Sequence, residues 1–222
     1  MPRQAWIDQP QQPDYIKLGK HQITDPIFDG RWLAGLPKPL EYLNGVRLKI
    51  GGPFKMSNPG AYFCAQGTDG LGAWPSYNDL SGEEWADWAY DLLQKKIAPG
   101  TSGSFPCAHL NPETDDVDWQ LAMLRRWRDH SPKRLTVWTP VAHKANVFRA
   151  VGWELAALDI VVGPQCYVGN MERVESSNEV QAWVDIGIPA KRVWPFLDAA
   201  DLGAWWGEIA GAVVFKIGRA HV

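Results

Sequence analysis

The sequence predicts an α/β fold: a small or distorted (β/α) TIM-like barrel with seven or eight parallel strands. Three observations carry that prediction. Short apolar runs alternate with amphipathic stretches roughly every 25 to 35 residues, the rhythm of βαβ units on a parallel sheet. The runs show almost no polar alternation, as strands buried on both faces require. No G-x-G-x-x-G or Walker loop follows any run, which removes the nucleotide reason for a doubly wound sheet, the competing arrangement that handedness rules equally permit.

The elements follow in chain order. Residues 1–14, with Pro2, Pro10 and Pro13 and interspersed glutamines, build no core and are expected to form an irregular arm that docks on a neighbouring protein. Residues 15–222 form a single barrel domain. YIKLGKHQI (15–23) reads as its first strand, and Arg31 to Leu43, interrupted by Pro37 and Pro39, as a poor helix. GVRLKIGG (45–52) is a buried strand stopped by a glycine pair. Residues 53–80 are a long loop, with a short strand at AYFCAQ (61–66). Ser81 and Glu84 form a capping box, and Trp85, Trp88, Ala89 and Leu92 recur at helical spacing before Pro99-Gly100.

SFPCAHLNPE (104–113) is the next strand and its exit. Asp115 and Asp116 can cap a helix through residue 129, with Val117, Leu121 and Leu124 on one face and Arg125, Arg126 and Arg128 on a solvated outer face. RLTVWTP (134–140) is a strand, FRAVGWELAAL (148–158) a helix with an unfavourable Gly152, and DIVVGPQCYV (159–168) a strand. Ser176 and Glu179 form a second capping box, opening a helix that ends at Gly187. KRVWPFLDA (191–199), the short helix AWWGEIAG (204–211) and the strand AVVFKIGR (212–219) complete the series. The strands at 45–51, 104–110, 134–139, 159–167, 192–198 and 212–217 should all be parallel neighbours. Trp85 and Trp88 should be mostly buried, and at least one of the adjacent Trp205 and Trp206 exposed.

Composition excludes several classes. A net charge of -3 gives no reason to expect a nucleic-acid or membrane partner. No stretch approaches the roughly 18 apolar residues of a membrane span, and the N-terminus lacks the pattern of a secretory signal. Cys64, Cys107 and Cys166 are widely spaced and odd in number, against a disulfide framework or a zinc site. No H-x-H or H-E-x-x-H spacing marks a metal centre, no G-x-S-x-G marks a nucleophile, and no cofactor is expected.

In a parallel barrel the site lies at the C-terminal ends of the strands. The chain delivers His21 and Asp25 there, then Lys49, then His109, Asn111 and Glu113. Trp138, Thr139 and His143 follow, then Gln165 and Tyr167, then Asp198, and last Lys216. Glu113 has the best claim to catalysis, because a partly desolvated carboxyl at a strand exit can donate a proton to a glycosidic oxygen. Asp198 or Asp25 would be its partner carboxylate. His109, Asn111, Gln165 and Tyr167 would hydrogen-bond the carboxylates or a sugar, and Trp138 would offer a stacking face. The structural alternative is that Glu113 starts the next helix and Asp198 caps a turn.

The phrases GVRLKIGG, CAHLNPE, RRWRDHSPKR, TVWTP, VVGPQCYVGNM, GIPAKRVWPFLDA and VVFKIGR, spread over roughly residues 40–219, carry a resemblance. The chain resembles the glycoside-hydrolase-like barrel proteins of actinobacterial phages, and Gln165, Tyr167, Gly169 and Met171 form the most distinctive phrase. The resemblance implies a virion component of the minor tail type, assembled in the host cytoplasm, with a structural or host-glycan-binding role. Its partners would be other virion proteins, further copies of itself and host surface polysaccharide. The lysozyme-like barrels of phage lysins carry a D-x-E pair at the end of a central strand; Asn111-Pro112-Glu113 stands in that place here, and the exchange of Asp for Asn favours binding over hydrolysis. An active glycosidase cleaving cell-wall polysaccharide is the alternative. A barrel enzyme acting on a small metabolite ranks third, since no phosphate-binding glycine loop accompanies the last strands.

Overall fold

All seven strand ladders among the described residues run parallel. The computed structural model describes residues 4–7, 25–29, 37, 62–66, 78–92, 107–112, 114–132, 135–140, 144–166, 173–198 and 214–217. The strands are β1 (Gln4–Ile7), β2 (Asp25–Asp29), β3 (Tyr62–Gln66), β4 (Cys107–Asn111), β5 (Leu135–Trp138), β6 (Val161–Val162), β7 (Phe196–Asp198) and β8 (Val214–Ile217). The helices are α1 (Gly82–Asp91), α2 (Val117–His130), α3 (Gly152–Ala157), which follows a 3₁₀ segment at Ala145–Val151, and α4 (Arg173–Asp185).

The eight strands form one sheet in the order β6-β5-β4-β3-β2-β1-β8-β7. Two further parallel bridges, Val162↔Val193 and Gln165↔Phe196, bring together the β6 and β7 ends of that order. The strands follow chain order around the sheet, and the order never reverses as it does at the switch point of a doubly wound sheet.

Alternation along each strand sorts side chains into two layers. Ala108, Leu110, Trp138, Val162 and Val193 join the helical residues Trp85, Leu121, Leu124, Trp127 and Trp183 in one apolar core. His109, Val137 and Phe196 belong to the other face, and His109 of β4 stacks on Phe196 of β7 although the two strands share no ladder.

The helices start where the chemistry of their ends dictates. Ser81 and Glu84 make a reciprocal capping box on α1, and Asp116 caps α2 by accepting from the Trp119 N–H at 3.0 Å. Trp85 is fully buried and Trp88 half-buried. The arginines of α2 do more than face solvent. Arg126 pairs with Asp87 of α1 at 2.6 Å, and Arg125 pairs with Glu154 of α3. Arg128 donates to the Leu158 carbonyl at 2.7 Å and to that of Asp159, closing the C-terminal end of α3. Arg126, and then His130, hold the Asp87 carboxyl below the usual carboxylate range.

Several expectations change. Residues 4–7, inside the stretch read as an irregular arm, form β1 between β2 and β8; four residues flanked by prolines give too short an apolar pattern to detect. The strand over Asp25–Asp29 was also missed, because Pro26 masks it. α4 begins at Arg173, about a turn before the expected box at Ser176. The single helix expected over 148–158 is split between the 3₁₀ segment and α3. The expected strands at 15–23 and 45–51, and Trp205 and Trp206, lie outside the described residues.

The split falls at Gly152, and the reason is steric. An added Cβ there would lie 1.9 Å from the Ile186 carbonyl oxygen, just past α4. Gly152 therefore sets how closely α3 approaches the end of α4. Gly152→Ala is expected to destabilise the protein by about 1–3 kcal/mol or more through overpacking. Urea denaturation should show a lower midpoint at unchanged slope; an unshifted midpoint would show that this approach is not tight.

Candidate active site

The site is built on the exits of β4, β5 and β6. Period-two alternation puts His109 and Asn111 on one face of β4, opposite Ala108 and Leu110. Thr139 follows β5 directly, and its N–H donates to the Leu110 carbonyl at 2.9 Å, fixing the β5 exit to β4. Its hydroxyl meets Nε2 of His109 in a short hydrogen bond. The His109 ring lies flat on Phe196, with centroids 5.0 Å apart and planes 20° from parallel. Gly163 opens the space for that ring, since a Cβ there would come within 2.4 Å of Phe196 and 3.2 Å of Val137.

Gln165, just past β6, donates from Nε2 to Oδ1 of Asn111 at 3.4 Å. His109 and Asn111 are 0% exposed, Thr139 1% and Gln165 5%. Together they form a polar floor at the C-terminal end of the strands. Burial pushes the His109 imidazole down from its ordinary 6.5 to about 3, so it is neutral at physiological pH. All four polar side chains of this floor are therefore uncharged. They offer amide and hydroxyl groups that can donate or accept, and an imidazole whose roles depend on its tautomer.

The sequence-predicted residues divide into three groups. His109, Asn111 and Gln165 are brought together as expected. Trp138 is not available as a stacking face: it is fully buried on the helix side, edge-on to Phe148 at 5.1 Å and Trp183 at 5.6 Å. The physical reason is register. Trp138 pairs with Leu110, and both project away from the His109 face. Its indole N–H donates to Oε1 of Gln120 at 2.6 Å.

Among the carboxylates, Asp198 ends β7, level with Lys216 of β8, at the expected end of the sheet. Asp25 is the first residue of β2, at the opposite end, because the strand runs forward from it instead of up to it. Glu113 and Tyr167 lie outside the described residues. Two positions were missed. Asp29 ends β2 and lies across the ladders from Cys64 and then His109; finding it required recognising the strand. Gln120 is a fully buried amide on α2, and its signal was a polar residue at core spacing between Val117, Leu121 and Leu124.

No protein-family model matches the sequence, and no curated protein does. Solved structures do match. A GH18 chitinase from Pseudoalteromonas aurantia aligns with a TM-score of 0.59 at 9% identity, covering 96% of this chain and 93% of that one. The chitinase-like agglutinin RobpsCRA from Robinia pseudoacacia aligns at 0.52 and 11% identity, covering 88% and 69%. A mutant plant class V chitinase from Cycas revoluta, in complex with (GlcNAc)3, aligns at 0.50 and 10%, covering 89% and 68%. The fold is thus GH18 chitinase-like, of the TIM-barrel type and glycoside-hydrolase-like, as the phage-type resemblance implied. Among the described residues no helix is long and apolar enough to cross a membrane.

The buried imidazole makes stability depend on pH. Its folded pKa, about 3, lies below the unfolded value of 6.5, so between these the unfolded chain binds a proton that the folded chain does not. The stabilising effect is complete above the unfolded pKa and declines as pH falls through that window, by up to roughly 5 kcal/mol at 1.36 kcal/mol per unit. His109→Gln should flatten the dependence of unfolding free energy on pH between about 6.5 and 4. Equal slopes for the two proteins in chemical denaturation would contradict a buried neutral His109.

Proposed function

We propose that this chain is a virion-associated phage protein of the minor tail type whose glycoside-hydrolase-like barrel binds host surface glycan. The observation that carries the binding role is the uncharged polar floor of His109, Asn111, Thr139 and Gln165. A neutral sugar ring presents hydroxyl and amide groups, and an uncharged polar floor beneath it can support such a ligand without desolvating a charge. The fold is shared with a protein named a chitinase-like agglutinin and with a chitinase in complex with (GlcNAc)3, which supports an N-acetylglucosamine-containing glycan as the ligand class. The virion assignment rests on the phrases from GVRLKIGG to VVFKIGR; its partners are then other virion proteins, further copies of this chain and the host polysaccharide.

A second reading, an active glycosidase, is favoured by one position. β4 ends at Asn111, which puts Glu113 two residues past the strand exit in the chain. GH18 chemistry is substrate-assisted and does not follow the two-carboxylate scheme, so a single acid at Glu113 would serve. In that reading Asp198 need not be a nucleophile.

Calorimetric titration with (GlcNAc)3 should give saturable binding, weakened about tenfold by Asn111→Ala, the scale of one lost hydrogen bond at the floor. The protein should release no reducing ends from chitin or host cell wall, and Glu113→Gln should bind like wild type. If wild type does hydrolyse these substrates and Glu113→Gln loses roughly 10²–10⁴-fold in rate, the glycosidase reading replaces the binding one. Absence of the chain from purified phage particles would overturn the virion assignment.

A further inference from the structure

Gln120 occupies a core position on α2, in the stripe formed with Val117, Leu121 and Leu124, and it is fully buried. Its two amide ends reach two different elements. Nε2 donates to the Thr114 carbonyl at 2.6 Å, and Oε1 accepts from the Trp138 indole N–H at the end of β5, also at 2.6 Å. A methionine would fill similar volume and make neither bond, leaving a buried donor and a buried acceptor to be satisfied elsewhere.

The bond to Thr114 falls at a particular place. Thr114 lies three residues beyond the end of β4, is itself buried, and accepts at its hydroxyl from the Asp116 N–H at 3.2 Å. At the other end of the turn, Asn111 is tied to Gln165. Asn111 is therefore anchored to the polar floor, and Thr114, through Gln120, to the β5 exit.

We infer that Gln120 is a positioning residue for the glycan site, holding Thr114 and the start of α2 against the end of β5 so that the exit of β4 keeps a set height beneath the ligand. This rests on the glycan-binding reading above. The residue touches no ligand itself and acts through the Thr114 backbone.

The test compares Gln120→Met with Trp127→Phe in the full chain. Trp127 makes an α2-to-β5 bond of similar kind, from its indole N–H to the Thr136 hydroxyl at 2.9 Å, away from the turn. Gln120→Met should speed hydrogen exchange at the Thr114–Asp116 amides about tenfold beyond any change in Trp127→Phe, and weaken (GlcNAc)3 binding by a similar factor, the scale of one buried hydrogen bond. Trp127→Phe should bind like wild type.

Should Gln120→Met not fold, Gln120→Glu takes its place. It keeps the acceptor for Trp138, loses the donor when ionised, and should bind more weakly at about pH 8 than at about pH 5, where the protonated carboxyl can donate again. Equal loosening of the turn in Gln120→Met and Trp127→Phe would overturn the inference. So would unchanged binding with a loosened turn. If wild type does not bind (GlcNAc)3, the glycan reading fails, and the exchange comparison alone decides whether Gln120 holds the turn.

Discussion

β4 meets water on neither face, and the rest of the described structure follows from how that is tolerated. Residues 108–111 are all buried. On the helix side Ala108 and Leu110 need only apolar neighbours, and they join the buried residues of α1 and α2 in one core. On the other side His109 and Asn111 are polar, and burying them costs free energy unless they are hydrogen-bonded. Thr139, Gln165 and the ring of Phe196 provide for them, drawing the exits of β5 and β6 and the start of β7 to one point. Gly163 is required because no side chain fits between β6 and that ring. One strand's alternation thus fixes both the core and the floor.

The helical layer makes the same kind of bargain with charge. α2 turns its apolar stripe to the sheet, while Arg125, Arg126 and Arg128 reach α3, α1 and the end of α3 respectively. Exposed pairs of this sort add little stability each. They tie α2 to its neighbours on both sides. Arg128, by covering carbonyls at the end of α3, also satisfies groups that a helix terminus leaves bare. Close backbone approach does the rest: an added Cβ on Gly82 would lie 2.2 Å from the Trp119 carbonyl oxygen, so α1 and α2 touch main chain to main chain there.

Much of this was legible in the sequence, and the exceptions have physical causes. Long, strongly patterned elements declare themselves: the Ser81–Glu84 box and the Asp116 cap mark helices whose stripes are clear, and CAHLN is apolar enough to be a buried strand. QAWI and DPIFD are too short, and too close to prolines, for a period to emerge, so two strands of the sheet were invisible and Asp25 was placed at the wrong end of one. The floor residues His109, Asn111 and Gln165 were found because they end apolar runs. Trp138 was misread for a subtler reason. A strand-end aromatic suits a sugar platform or the core equally, and only the pairing of Leu110 with Trp138 says which face it takes.

The uncharged floor is self-consistent, and that bears on what chemistry this barrel can do. A carboxylate at position 111 would need a cation or several donors to be buried there, whereas Asn111 accepts from the Gln165 amide as a neutral group. Burial alone keeps the His109 ring neutral at physiological pH. Acid chemistry cannot come from such a floor. A carboxyl would be needed for it, and the sequence supplies one in Glu113, two residues beyond Asn111 in the chain. Recognition of a neutral sugar needs no such group, and the binding role proposed above rests on that difference.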